Sequence, residues 1–296
     1  QEAMGSGNIG AAERNTGIGF AVMRSITTGD SNVAVGSDTL YSLTTGSDNI
    51  GVGRQALGSI TAGGENVAIG RQAMQDAAFG EGANVAIGYG AMMDINEGAH
   101  ANSSADYNIA LGYHALKGAG FAGADVEVDH NIAIGAFALD ATGANEHTGT
   151  IAIGANALGA LTSGGSNIAI GYESQLYQTD GTNNVSLGFK ALRNADNGES
   201  FNTAIGTKAG EFINHASSDG NTIVGMQAMV GGTGARSYNT AVGFRAMGSD
   251  NTQNDVAGDK NVFIGAYSGN GTWATAASDG NTAVGYDSMS GALNGA

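Results

Sequence analysis

Residues 65–74 read ENVAIGRQAM, and residues 83–92 repeat nearly the same text as ANVAIGYGAM. The shared part is a five-residue motif of Asn, a β-branched residue, usually a small residue, an aliphatic residue and Gly. The motif occurs fifteen times, with successive copies 17 to 24 residues apart, which is the signature of a stacked repeat architecture. The motif glycines are Gly19, Gly36, Gly53, Gly70, Gly88, Gly112, Gly135, Gly154, Gly171, Gly188, Gly206, Gly225, Gly243, Gly265 and Gly285.

The composition favours one ordered array. The 296 residues include 51 Gly and no Pro, whereas disordered chains are usually rich in Pro. Each repeat also places β-branched and aliphatic residues at fixed positions, which a flexible Gly-rich tract does not. We therefore interpret residues 1–14 as an atypical N-terminal lead-in and residues 15–296 as a single repeat array.

The alternation within the motif predicts two buried faces. Successive strand residues point to opposite faces, so the second and fourth positions share an apolar face, which we expect to form the core. The third position is Ala in ten copies and Gly in two, and small side chains let another backbone approach closely. We expect this small-residue face to contact another chain. Its predicted members are Ala68, Ala86, Ala110, Ala133, Ala152 and Ala169.

The motif Asn is predicted to form a ladder. It is present in fourteen of the fifteen copies, directly before the strand, where a turn residue belongs. A repeated Asn can hydrogen-bond to its copies in the coils above and below, although an array of glycan or ligand contacts is the alternative. The invariant Gly most simply provides a bend. The predicted rungs are Asn66, Asn84, Asn108, Asn131, Asn167 and Asn184.

A second apolar position follows each motif. The fourth residue after the motif Gly is Leu or Met in twelve copies, and we interpret these side chains as core filling rather than as metal or redox ligands. One repeat buries too little to offset the entropy of ordering it, so each coil must bond to its neighbours. The sequence predicts an all-β parallel β-solenoid of about fifteen coils.

The motif resembles two known repeat families. NVAIGRQAM at 66–74, NIALGYHAL at 108–116 and LYSLTTG at 40–46 are similar to repeats of bacteriophage tail fibres and of trimeric autotransporter adhesin heads. The resemblance implies a left-handed parallel β-roll in which three chains pack side by side. The repeats here are longer and unequal, and we find no heptad stalk, membrane anchor or terminal chaperone domain.

The sequence contains few residues that indicate catalysis, cofactor binding or metal binding. There is no Cys, the five His are scattered, and no catalytic or phosphate-binding motif is present, so we expect no cofactor, metal or catalytic residue. Residues 125–130, DVEVDH, place three carboxylates on one face of an extended segment; we favour a solvated acidic edge over a calcium site. Residues 69–74 match an acyltransferase hexapeptide once per repeat, which leaves an enzyme as a remote alternative.

Charge and surface residues indicate the kind of partner. A net charge of −16 with 11 Lys and Arg disfavours nucleic acid and anionic lipid. Seven aromatic residues directly follow a motif Gly, and we favour packing between coils over a row that binds sugars. The longer segments 93–107, 117–130 and 248–260 are the candidates for specificity. The aromatic residues are Phe20, Tyr89, Tyr113, Tyr172, Phe189, Phe244 and Tyr286.

These observations predict a non-enzymatic protein. We expect a structural fibre segment, extracellular or on a virion, that forms a homotrimer and attaches to a cell-surface glycan or protein receptor. The alternative is the subunit of an extracellular filament that grows end to end.

Overall fold

The fold is described by a computed structural model of residues 12–77, 80–95, 104–118, 126–142, 146–196, 198–231, 234–248, 258–270, 273–274, 279–290 and 293–294. These residues form short β-strands and turns, and none of them lies in a helix. The chain divides into two compact units, Gln1–Thr150 and Ile151–Ala296. Each unit is a parallel β-solenoid, which confirms the predicted all-β solenoid fold, while the left-handed roll, the count of about fifteen coils and the trimer stay predictions.

The first unit contains seven strands, one in each copy of the motif. Each strand pairs in parallel with the next, and equivalent motif positions stand in register: Val67 pairs with Val85, and Ile69 pairs with Ile87. The strands are β1 (Thr16–Ile18), β2 (Val33–Val35), β3 (Ile50–Val52), β4 (Val67–Ile69), β5 (Val85–Ile87), β6 (Ile109–Leu111) and β7 (Ile132–Ile134).

The second unit contains eight motif strands in one parallel sheet, together with a separate parallel pair, β15 and β17. Its strands are β8 (Ile151–Ile153), β9 (Ile168–Ile170), β10 (Val185–Leu187), β11 (Thr203–Ile205), β12 (Thr222–Val224), β13 (Thr240–Val242), β14 (Val262–Ile264), β15 (Trp273–Ala274), β16 (Thr282–Val284) and β17 (Leu293–Asn294). The single array over residues 15–296 stays a prediction, and most of the lead-in, residues 1–11, lies outside the described residues.

The turn after each strand depends on left-handed backbone torsions. The motif glycine Gly70 has φ +136°, and Met74, four residues later, has φ +49°. A β-branched side chain is strongly disfavoured at positive φ, whereas an unbranched or γ-branched one is tolerated. None of the described non-glycine residues with positive φ is Val, Ile or Thr. This preference explains why the fourth residue after the motif Gly is Leu or Met rather than Val or Ile.

The turns form a hydrogen-bonded column like the strands. The backbone N–H of Met74 donates to the carbonyl of Ala91 (2.9 Å), and the N–H of Met92 donates to the carbonyl of Ala115 (3.0 Å). The N–H of Leu116 continues the series to Ala138 (2.9 Å). Met74, Met92 and Leu116 are themselves fully buried, which confirms their predicted role as core filling. Each coil is therefore bonded to the next on more than one side of its perimeter.

Candidate interaction surface

The β-branched face of the strands points outward. The outward face is defined by the second and fourth motif positions, and the strands leave it partly uncovered in both units. Ile69 keeps 38% of its surface exposed, Ile87 keeps 39% and, in the second unit, Leu187 keeps 46%. The prediction that this face forms the core is therefore wrong.

The small residues at the third position point inward. The alanines predicted to contact another chain, Ala68, Ala86, Ala110, Ala133, Ala152 and Ala169, have no exposed surface and line the interior of the coils. They cannot meet a second chain without opening the solenoid, so their assignment to an oligomer face is corrected. The physical reason is space: Leu or Met from the turn already fills the narrow interior, which leaves room for only a methyl group on the strand.

Differences in residue size between copies of the repeat show which positions contact one another inside the coil. A Cβ placed on Gly51, at the third position of β3, would lie 2.8 Å from Cγ2 of Thr39 and 3.5 Å from Cγ of Leu40. Thr39 occupies a position that is Ala in most copies. The larger Thr39 side chain is therefore compensated by the absence of a methyl group at Gly51. The third strand position and the turn residues therefore share one layer of the core.

The same compensation operates in the opposite direction in the second unit. Gly210 and Gly269 stand where twelve of the other copies have Leu or Met. A Cβ on Gly210 would lie 3.0 Å from Cδ1 of Ile223, and one on Gly269 would lie 2.5 Å from Cδ1 of Phe263. Ile223 and Phe263 occupy third positions and are fully buried. A large side chain on the strand thus fills the volume that the glycine leaves open.

The predicted Asn ladder is present. The Nδ2 of Asn84 donates to Oδ1 of Asn66 (3.2 Å), and the backbone N–H of Asn84 donates to the same oxygen (3.1 Å). The Nδ2 of Asn66 also donates to the carbonyl of Glu81 (2.7 Å). Asn108 and Asn131 continue this pattern, and in the second unit the N–H of Asn184 donates to Asn167 (2.9 Å). These side chains are buried and hydrogen-bonded, so the ladder belongs to the interior and is not available to a ligand.

Sequence reasoning missed a second ladder, two residues before the Asn. Here the side chain of one coil accepts a hydrogen bond from the backbone of the preceding coil: Asp30 N–H donates to Ser47 Oγ (3.0 Å), and Gly82 N–H donates to Asp106 Oδ1 (2.6 Å). Asp106 N–H donates in turn to Asp129 Oδ1 (2.8 Å). Burial raises the pKa of Asp106, as does the charge of Asp129, while the Gly82 N–H opposes the shift. The recurrence of Asp, Ser or Thr at this position was the available signal.

The aromatic residues after the motif glycines pack against one another. The rings of Tyr89 and Tyr113 stack with centroids 5.4 Å apart, and those of Tyr172 and Phe189 stack at 5.6 Å in the second unit. The favoured interpretation, packing between coils, is therefore observed. The rings are also partly exposed, with Tyr113 leaving 47% of its surface uncovered.

The segments proposed for specificity lie partly outside the described residues. Residues 96–103, 119–125 and 249–257 fall in these gaps, as does Asp125 of the acidic stretch. Asp129 accepts hydrogen bonds from Ser104 Oγ (2.6 Å) and from the Asp106 backbone, so this carboxylate has a structural role. In the part of the chain that the structure describes, no group of three or more metal-ligating side chains is arranged to hold an ion.

No protein-family model, curated protein or solved structure matches the chain. Within the described residues, no helix has the length and apolar character needed to cross a membrane.

Proposed function

We propose that this chain is a structural segment of an extracellular or virion fibre and that it assembles with two further copies through the outward face. The observation that supports the proposal is the exposed, uncharged strand face. Its fifteen pairs of positions carry only Val, Ile, Leu and Thr, although the chain has a net charge of −16. Solvent-facing strands normally carry polar side chains, and a continuous exposed apolar patch indicates a protein contact.

The outward face of each unit covers part of the area that a protein–protein interface needs. With strands about 4.8 Å apart and residues about 3.3 Å apart, the seven three-residue strands of the first unit present about 330 Å². The eight motif strands of the second unit present about 380 Å² by the same spacing. A stable interface buries about 800 Å² on each partner, so the strands of either unit would supply part of that area and the partly exposed aromatic side chains would have to add to it.

Three copies are proposed because of the resemblance to trimeric fibre repeats. A trimer would carry a charge of 3 × −16 = −48, and this repulsion would keep separate fibres apart in solution. In this proposal the solenoid acts by rigid extension and by attachment to a surface receptor, and it needs no catalytic residue.

Replacing Ile87 with Glu tests the proposed interface. Ile87 is exposed in the single chain, so Ile87→Glu should leave the solenoid folded. In the trimer the new carboxylate would be buried without a partner, at a cost of about 3–5 kcal/mol, which should weaken association about 100-fold or more. Sedimentation velocity over a concentration series measures the change, and circular dichroism checks the fold.

Thr28→Glu is the matched control, because Thr28 is an exposed β-branched residue in a turn of the same unit. This variant adds the same charge away from the outward face and should remain trimeric. A monomeric unmodified chain, or an Ile87→Glu variant that still forms trimers with unchanged affinity, would overturn the proposal. Open-ended growth of the unmodified chain would favour the filament.

A further inference from the structure

The second ladder is interrupted in the first unit. The Ser47 side chain accepts a hydrogen bond from the backbone of the preceding coil, and the Asp106 side chain accepts one from the Gly82 N–H. The two copies between them have Gly at this position, Gly64 and Gly82, and so have no side chain to act as an acceptor. A Cβ on Gly64 would lie 2.9 Å from the carbonyl oxygen of Ser47 and 3.7 Å from its backbone nitrogen. Among the described residues, the backbone N–H groups of Ser47 and Gly64 have no hydrogen-bond partner. The interruption thus leaves two adjacent donors, about 4.8 Å apart by the coil spacing.

These donors lie in a groove of about 440 Å³, which we call the ladder groove and which is within the range of small-molecule sites. Its wall includes Asp48, Glu65 and Tyr107. Tyr107 is 60% exposed, and its ring stacks on His130 with centroids 5.0 Å apart, which holds the ring in place. The groove therefore combines fixed hydrogen-bond donors, carboxylate acceptors and an aromatic surface.

We infer that the ladder groove binds a neutral saccharide of one or two rings. The N–H groups of Ser47 and Gly64 would donate to sugar oxygens, and the carboxylates of Asp48 and Glu65 would accept from hydroxyl groups in charge-assisted hydrogen bonds. Tyr107 would cover the apolar C–H face of a ring. An anionic ligand is disfavoured by the carboxylates, and a cation would leave the two N–H donors without an acceptor. The inference deepens the proposed function, because it gives the attachment fibre a receptor chemistry, and it rests on that function for its biological role.

Filling the empty rung tests the inference. The φ of Gly82 is not positive, and a Cβ there would lie 3.4 Å from its nearest neighbour, so Gly82→Ser should fold normally. By analogy with Ser47, the serine hydroxyl would accept from the Gly64 N–H and would occupy the groove. The probe is a panel of neutral hexose and N-acetylhexosamine disaccharides, with a sialylated disaccharide and spermine as charged comparators, titrated calorimetrically into the full chain.

We expect at least one neutral disaccharide to bind in preference to both charged ligands. Gly82→Ser and Tyr107→Ala should each lower its affinity at least tenfold. Gly165→Ser makes the same substitution at the equivalent position of the second unit and should bind like the unmodified chain. Absence of binding to every neutral probe, preference for a charged probe, or unchanged binding by Gly82→Ser would each overturn the inference.

The assembly state separates this inference from the proposed function. Gly82→Ser should sediment as the unmodified chain does, because Gly82 is not part of the outward face. A trimer that binds no saccharide would overturn the inference alone, whereas a monomer that binds saccharide would overturn the proposed assembly alone.

Discussion

Gly70→Ala should be among the most destabilising single methyl additions in the chain. A Cβ on Gly70 would lie 2.4 Å from the carbonyl oxygen of Gly88 in the next coil, and φ is +136°. The backbone would have to move to relieve both the clash and the torsion, and the stacked glycines on either side restrict that movement. We expect a loss of about 4 kcal/mol or more in the free energy of unfolding, measured by urea denaturation with circular dichroism.

Gly82→Ala is the control for this experiment. Its new Cβ would lie 3.4 Å from the carbonyl oxygen of Gly64, an ordinary contact, and its φ is not positive. The substitution should leave stability unchanged or raise it by up to about 1 kcal/mol through the unfolded state. Equal unfolding midpoints for the two variants would contradict the stacking of the motif glycines.

The paired exchange of Phe263 and Gly269 should show strong coupling. Phe263→Ala removes a fully buried ring and should cost about 3–5 kcal/mol. Gly269→Leu alone would drive a side chain into that ring, since a Cβ there already lies 2.5 Å from Phe263 Cδ1, and should cost about 1–3 kcal/mol or more. The double variant would have Ala on the strand and Leu in the turn, which is the arrangement of Ala241 and Met247 in the preceding coil. It should therefore recover most of the lost free energy of unfolding.

A double-mutant cycle measured by chemical denaturation provides the check. We expect a favourable coupling energy of about 3 kcal/mol between the two sites, at the upper end of the usual range for residues in contact. Additive losses would mean that the two positions do not share one layer of the core, and the explanation for Ile223 and Gly210 would then fail as well.

The fold could be predicted from the sequence because its causes are local. A β-branched strand, a glycine bend and a buried Leu or Met recur at a near-constant period, and only a stack of parallel coils satisfies all three. The Asn ladder was predictable for a related reason. Asn carries both a donor and an acceptor, so a copy such as Asn84 can bond to the copies below and above it.

The direction of the strand faces could not be inferred from alternation. The period-two pattern groups Val67 with Ile69 and separates them from Ala68, but it does not say which group points inward. The usual rule, that larger apolar side chains are buried, gives the wrong answer because Met74 and its equivalents fill the interior from the turn.

The sequence did contain a signal that would have corrected this assignment. A large residue at the third position occurs with a missing Leu or Met in the turn, as Phe263 with Gly269 and Ile223 with Gly210. Such compensation in size indicates that two positions share one cavity, and it would have placed the third position inside the coil. The ladder groove depends on an absence of side chains at Gly64 and Gly82, and the sequence could locate these glycines only once the second ladder had been recognised.

Thiol labelling tests the orientation of the faces most directly, because the chain has no cysteine of its own. Ala68→Cys and Ile69→Cys would each introduce one thiol on adjacent residues of β4, and the rate of reaction with a maleimide would be measured in dilute native solution. We expect Ile69→Cys to react nearly as fast as an unfolded control, and Ala68→Cys to react at least about 100-fold more slowly because the coil must open first. Ile69→Cys should become protected from the maleimide at concentrations where the chains associate. Rapid labelling of Ala68→Cys together with slow labelling of Ile69→Cys in the dilute chain would mean that the small-residue face points outward and that the β-branched face is buried.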